Sequence, residues 1–196
     1  MHRQPLLTQL QRYQPTDPHE RTMWLDTIAF VEKYPDCFER SLSVGHVTGS
    51  AWIVAPNPTQ PGQLQVVLIH HRKLDRWFQP GGHADGNPDI LAVARQEAHE
   101  ETGLTQLTTL GSANQIPEIF DVDVHLIPAR GAEPAHFHYD IRYLFKANPL
   151  EPFVHSGETK AICWVDLQDI IRYTTEESIE RMVKKTRNLT YLSEKI

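Results

Sequence analysis

The stretch that decides the fold is GGHADGNPDILAVARQEAHEETGL, residues 81–104, and its acidic end is the informative part. Glu97, Glu100 and Glu101 are three and four residues apart, so a helix would place them on one face. Each like-charge pair at this spacing costs about 0.2–0.5 kcal/mol, and a carboxylate near the negative end of the helix dipole costs about 0.3–1 kcal/mol more. A partner outside the helix should therefore offset this repulsion.

The ends of this helix carry clear sequence signals. Asn87 is a suitable N-cap, and Pro88 suits the first turn because proline has no N–H to leave unsatisfied there. Gly103 suits the C-cap, since glycine readily adopts the left-handed conformation found at that position. We therefore predict a helix from Pro88 to Thr102.

A divalent ion is a partner that fits such a carboxylate cluster. Mg²⁺ and Mn²⁺ prefer oxygen ligands, commonly carboxylates completed by water or phosphate. Three glutamates on one helical face would bring several carboxylates to one or two ions, and the ions would relieve the repulsion. The alternative is an ordinary solvated acidic face. The glycine pair before the helix and the unfavourable position of the charges argue against that alternative.

Residues 81–104 resemble the Nudix box, whose pattern is G-x5-E-x7-R-E-U-x-E-E-x-G-U with U aliphatic. With the pattern aligned on Gly82, six further positions match: Glu97, Ala98, Glu100, Glu101, Gly103 and Leu104. Two positions differ, because Pro88 replaces the first glutamate and Gln96 replaces the arginine. Arg95 does not restore that arginine, since it points about 100° away around the helix.

This resemblance implies the fold over about residues 43–175. The implied architecture is an α/β (α+β) fold, a three-layer α/β/α sandwich around a mixed sheet. Residues 45–56, GHVTGSAWIVAP, alternate in polarity and are predicted to form a half-buried strand. We expect a helical N-terminal extension over residues 1–42, packed on a Nudix hydrolase domain over residues 43–196, with the two forming one structural domain.

The resemblance also implies Mg²⁺- or Mn²⁺-dependent hydrolysis of a nucleoside diphosphate linked to another moiety, such as a nucleotide sugar, an ADP-ribose-like compound or a nucleoside triphosphate. The implied metal ligands are the carbonyl of Gly81 and the carboxylates of Glu97, Glu100 and Glu101. The ions would neutralise the diphosphate and lower the pKa of a bound water, whose proton a carboxylate would accept during attack on phosphorus. Glu97 and the loop residue Glu158 are the two candidate bases.

Two other functions of this fold stay open. In the family, the positions taken here by Pro88 and Gln96 support the loop and orient the carboxylates. Their replacement leaves open a non-hydrolytic Nudix-fold protein that binds and senses a nucleotide. An isomerase acting on an isoprenoid diphosphate is a third hypothesis, although no well-placed cysteine acid supports it. The box does not indicate the substrate, because other loops and strands select it in this family.

Eleven histidines is a high number for 196 residues. Several of them share one face of a predicted antiparallel strand pair, which carries Asp121, Asp123, His125, His136, His138, Asp140 and Arg142. We predict that this face lines a substrate cleft, with His138 or Arg142 donating to phosphate or base, and that His83 lies near the metal ions. Alternatives are a solvated sheet face and a zinc site on the H-x-H pair, for which no cysteine or third histidine has a typical spacing.

Composition limits the partners and the compartment. The formal net charge of −6 argues against a nucleic-acid surface, which leaves a small-molecule nucleotide as the expected partner. Cys37 and Cys163 are far apart and predict free thiols, as in cytosolic proteins. No stretch approaches the roughly 20 apolar residues of a membrane span, and residues 1–20 lack the uninterrupted apolar core that is typical of a signal peptide. We predict a cytoplasmic protein whose helical N-terminus could provide a homodimer contact.

Overall fold

A computed structural model describes residues 2–111, 118–131, 133–155, 157 and 159–189. The helices in this part of the chain are α1 (Gln4–Arg12), α2 (Pro18–Lys33), α3 (Ile90–Thr102) and α4 (Glu177–Asn188), with a short 3-10 helix at Ile170–Arg172. The strands are β1 (Gly45–Pro56), β2 (Leu64–His71), β3 (Arg76–Phe78), β4 (Gly81–His83), β5 (Thr108–Thr109), β6 (Ile119–Ile127), β7 (His136–Lys146) and β8 (Thr159–Asp166). Among the described helices, none combines the length and hydrophobicity that crossing a bilayer requires.

The strands form one mixed sheet with β1 at its centre. β1 runs parallel to β7, whereas its pairs with β2 and β4 are antiparallel, and β6 pairs with β7 as the predicted hairpin. Ala51 and Ile53 face a core shared with α1, α2 and α3, while Trp52 and Val54 face a second core shared with α4. Helices therefore cover both faces of the sheet, which confirms the predicted α/β/α sandwich.

The prediction that β1 is half-buried is wrong, because its residues are buried along nearly the whole strand. Both faces are covered and neighbouring strands lie on both sides, so alternation in polarity does not mean alternation in exposure here. On one face, Trp52 donates from Nε1 to Thr186 Oγ1 of α4 at 2.8 Å. On the other, a Cβ added to Gly49 would lie 2.9 Å from the Ile90 carbonyl oxygen, so glycine lets α3 pack closely.

The helix that carries the glutamates begins two residues later than predicted. Asp89, rather than Asn87, is the N-cap, and its carboxylate accepts the Ala92 N–H at 3.0 Å. Asn87 instead accepts the Asp89 N–H at 3.0 Å, which forms a turn before the helix. The predicted end is confirmed, since Gly103 has a φ of 76° and closes the last turn.

The N-terminal extension covers an open edge of the sheet. β6 pairs only with β7 among the described strands, and exposed strand edges are prone to unwanted pairing. Glu20 of α2 is buried and accepts the Val122 N–H of β6 at 3.0 Å, so it satisfies a backbone donor at that edge. Lys185 of α4 binds the same carboxylate at 2.6 Å. The helical lead-in is thus part of the packed structure, while the boundary at residue 42 stays a prediction.

A buried ion-pair network joins β6, β7 and α4. Arg181 donates to both carboxylate oxygens of Asp121, at 2.9 and 2.8 Å, and to Asp123 at 3.0 Å. Burial alone would raise the pKa of Asp123, but the Arg142 guanidinium and a hydrogen bond with His125 hold it well below its usual range. Asp123 is therefore charged, and the structure depends on the cations that face the two buried aspartates.

This network makes a testable prediction for stability. Replacing Arg181 by Met should lower the free energy of unfolding by about 3–5 kcal/mol, because it leaves buried aspartate charge undercompensated. The matched control is Arg172→Met, which removes an exposed ion pair with Asp169 and should cost less than about 1 kcal/mol. Urea unfolding followed by circular dichroism measures both. Equal losses in the two variants would contradict the prediction.

Candidate functional site

α3 carries three glutamates near β4, the short strand before it that contains Gly81 and Gly82. Glu101 is buried, Glu97 is half-buried and Glu100 is exposed. The Glu101 carboxylate accepts the N–H of Gly81 at 2.9 Å, so this side chain and β4 fix each other's position. The structure therefore brings all four predicted metal ligands, Gly81 and the three glutamates, to the same end of α3.

Gly82 lets β4 lie close to Glu97 of α3. A Cβ at this position would lie 2.4 Å from the Glu97 carboxyl carbon and 2.5–2.6 Å from its oxygens. Only glycine leaves room for the carboxylate against the backbone. The resulting donors are carboxylate and carbonyl oxygens, the type that Mg²⁺ and Mn²⁺ prefer, so the residues present fit a hard divalent cation.

One departure from the Nudix pattern, Gln96 in the arginine position, is visible in the contacts of α3. Gln96 donates from Nε2 to Glu100 Oε1 at 2.8 Å, so the residue in the arginine position still holds one carboxylate. Arg95 points elsewhere, donating to the Leu107 carbonyl and, at 2.5 Å, to Thr109 Oγ1. The Arg95 guanidinium is thus directed toward Leu107 and Thr109, which fits the rotation of about 100° between neighbouring helical positions.

Glu158, the second candidate base, lies outside the described residues. Its neighbour Gly157 is described, and its carbonyl accepts from Arg72 Nε at 2.9 Å. Arg72 also donates to the Thr159 carbonyl at 3.1 Å. The backbone on both sides of residue 158 is therefore held by one arginine, while the role of Glu158 stays a prediction.

His83 and His138 belong to a compact group that we call the histidine cluster, consisting of His46, His83, His125, His136 and His138. Neighbouring rings in it have centroids 4.8–5.4 Å apart. Strand register creates the cluster, because His46 of β1 is level with His138 of β7, which is level with His125 of β6. Sequence analysis did not identify His46, since no local pattern links it to β7.

Two histidines of this cluster, His46 and His136, are buried, and the other three are partly buried. His46 is 1% exposed, and neither of its ring nitrogens has a hydrogen-bond partner. Burial lowers the pKa of His46 to about 4 and that of His138 to about 2, and it also lowers the pKa of His83. A buried donor without a partner costs about 1–3 kcal/mol, so the unpaired imidazole of His46 requires an explanation.

Arg142 does not face a cleft. It is 3% exposed, and its guanidinium contacts Asp140 at 2.7 Å, Asp121 at 3.2 Å and Asp123 at 3.3 Å. The polar face predicted for β6 and β7 is therefore largely buried under other elements. The charge of Arg142 is balanced by aspartates within the protein. At this position the face is therefore neither solvated nor part of an open cleft.

Comparison with known proteins agrees with this geometry. The family model described as the NUDIX domain matches residues 47–186. No curated protein sequence matches the chain. Among solved structures, an Ap4A hydrolase from C. elegans in a binary complex is 19% identical, with 76% of this chain and 98% of that chain covered and a TM-score of 0.58.

Two bacterial structures show the same fold. The Nudix hydrolase RenU from M. smegmatis is 19% identical, with 76% of this chain and 88% of that chain covered and a TM-score of 0.55. A MutT NUDIX hydrolase from Burkholderia pseudomallei is 21% identical, with 72% and 97% covered and a TM-score of 0.52. The family match spans most of the chain, including the glutamate helix and its glycine loop, and the chain therefore belongs to the NUDIX domain family.

Proposed function

We propose that this chain is a metal-dependent pyrophosphohydrolase that cleaves the diphosphate linkage of a nucleoside diphosphate joined to another moiety. The observation that carries the proposal is the placement of Glu97, Glu100 and Glu101 beside the loop of Gly81 and Gly82. Substrate candidates are nucleotide sugars, ADP-ribose-like compounds and nucleoside triphosphates. The name of the similar C. elegans protein adds Ap4A to that group.

In this proposal the Gly81 carbonyl and the three glutamates hold Mg²⁺ or Mn²⁺. The bound metal would supply charge neutralisation of the diphosphate and activation of water. Glu97 is packed against Gly82, so its carboxylate is positioned to accept a proton from an attacking water if it serves as the base. Glu158 is the alternative base.

None of the three side chains predicted to contact substrate is retained for the glutamate site in the proposal. His83 follows the glycine pair directly, but its ring lies 5.0 Å from that of His46, on the other side of β4 from Glu97, so we assign it to the histidine cluster. Arg142 is committed to three aspartates and His138 is enclosed by other histidines. We assign these two residues to the support of the sheet and to the histidine cluster.

A nucleotide sensor is the second candidate function. Gln96 carries no charge, and Arg95 is engaged with Leu107 and Thr109, so no arginine at the box position supports the glutamates. Weaker support would slow hydrolysis more than it would weaken binding. Tight nucleotide binding without turnover is the behaviour this alternative requires.

Location and assembly belong to the same proposal. Cys37 and Cys163 are free thiols, as in proteins of a reducing compartment, and we propose that the protein acts in the cytoplasm. The homodimer stays a prediction. The helices α1 and α2 are the part of the chain that could provide a homodimer contact. Their buried residues pack within the chain's own core.

The glutamate site predicts a loss of turnover in Glu101→Gln. The amide keeps the size of the side chain but removes a charge that holds the metal, so kcat/KM should fall by about 100-fold or more. Product release is measured with Mg²⁺ across the substrate candidates and Ap4A, and circular dichroism checks the fold. Glu180→Gln, on α4, is the matched control and should retain full activity. Unchanged turnover in Glu101→Gln would refute the hydrolytic site, whereas wild-type binding without turnover would favour the sensor.

The contact between Gln96 and Glu100 predicts a change in metal dependence. Gln96→Ala frees an exposed carboxylate, so the Mg²⁺ concentration for half-maximal activity should rise by about threefold to tenfold, less than a buried charged hydrogen bond would give. Gln11→Ala is the control, because that residue is exposed and lies on α1, away from the glutamate helix. An unchanged Mg²⁺ dependence would show that Gln96 does not orient Glu100.

A further inference from the structure

We propose that His46, His136 and His138 bind a divalent transition metal ion, with zinc as the best match, at a site separate from the glutamates. Among the described residues, these three histidines form the one group of three or more His, Cys, Asp or Glu side chains whose ligand atoms all lie within 4.8 Å of one another. In a tetrahedral site with Zn–N distances of about 2.0–2.1 Å, the ligand nitrogens are about 3.4 Å apart. Rotation of the rings must therefore shorten the longest of these separations by up to about 1.4 Å to close the site.

Two strands hold these three side chains in place. His46 of β1 and His138 of β7 are opposite each other in the parallel pair, and His136 lies two residues before His138 on the same face. β1 and β7 are paired over ten consecutive positions, from Gly45 to Val54 of β1. The ligand positions are thus fixed by the centre of the sheet, and sites on rigid strands are better defined than sites on loops.

The hydrogen bonds of the three rings also point to a missing ligand. Both ring nitrogens of His46 and Nε2 of His138 are buried without a partner. His136 Nδ1 lies 2.9 Å from the Pro134 carbonyl oxygen, which can only accept, so Nδ1 carries the proton and Nε2 keeps its lone pair. An imidazole whose second nitrogen donates to a backbone carbonyl is the usual arrangement of a metal-binding histidine.

Ligand chemistry separates this site from the glutamates. Imidazole nitrogen suits zinc, copper, iron and nickel, whereas magnesium prefers the oxygens on α3. The two sites lie on opposite sides of β4, because Gly82 faces Glu97 while the next residue, His83, has its ring 5.0 Å from that of His46. Three protein ligands leave a coordination position open to water or a substrate oxygen, as in zinc sites of the catalytic type.

Metal content is the direct test. The full chain, prepared without a polyhistidine tag, is stripped with a chelator, loaded with Zn²⁺ in the presence of excess Mg²⁺, dialysed and analysed by mass spectrometry. We expect one zinc per wild-type chain. Retention should be lost in His136→Gln and His138→Gln, because loss of a ligand should weaken affinity by more than the about 10- to 100-fold that loss of an outer partner costs.

Two controls locate the ion. His19→Gln changes an exposed histidine outside the cluster, and Glu100→Gln changes an exposed carboxylate of α3, so both should retain zinc. Loss of zinc in Glu100→Gln with retention in His136→Gln would place the ion at the glutamates and overturn the proposal. Equal retention in every variant, or none in the wild type, would overturn it as well.

A measurement on the wild-type protein covers the case in which the histidine variants fail to fold. X-ray absorption at the zinc edge should show imidazole ligation with three nitrogen ligands at about 2.0–2.1 Å. Zinc ligated by oxygen alone would overturn the proposal. Neither readout depends on turnover, so the histidine site and the proposed hydrolase activity can fail independently.

Discussion

The parallel pairing of β1 with β7 is the constraint on which the other features depend. It places His46 beside His138 and brings the Thr48 and Ser50 hydroxyls to Asp140, to which they donate at 2.9 and 2.8 Å. Because β1 is then covered on both faces, its buried polar side chains need partners within the protein, which Thr48 and Ser50 have and the His46 ring lacks. Strand β4 attaches to the same strand, so the position of the glycine loop relative to α3 follows from β1 as well.

Local patterns in the sequence predicted the helix that carries the three glutamates and the glycines that lie against it, while their role as metal ligands stays a prediction. The spacing of the acids and the glycine after them identified the helix, and the fit to the Nudix box identified the glycine loop in front of it. The acids, the glycine after them and the glycine pair before the helix all belong to one short segment of the chain. A pattern of residue spacings can therefore identify them. The predicted N-cap, Asn87, differs from the observed one, Asp89, because both residue types cap well and the local sequence offers both.

Features that depend on distant parts of the chain could not be predicted in this way. Alternation showed correctly that His138 and Arg142 share a face, but it contains no information about what covers that face. In the structure, Arg181 from α4 and Asp121 from β6 enclose Arg142, so the expected cleft is a buried ion-pair network at that position. His46 joins the histidines of β7 through a pairing between residues about ninety positions apart, for which no helical or strand periodicity exists.

The glutamates and the histidines lie on opposite sides of β4, and different interactions would attract a metal ion to each site. Ionised carboxylates on α3 would attract a cation at long range and would also ligate it through oxygen. The imidazoles of His46 and His138 are neutral because burial depresses their pKa, so charge gives a cation no comparable attraction. Selection at the histidines must then come from nitrogen ligation within a buried pocket. Such binding should depend less on ionic strength than binding at the exposed end of the glutamate helix, because buried sites are screened less by salt.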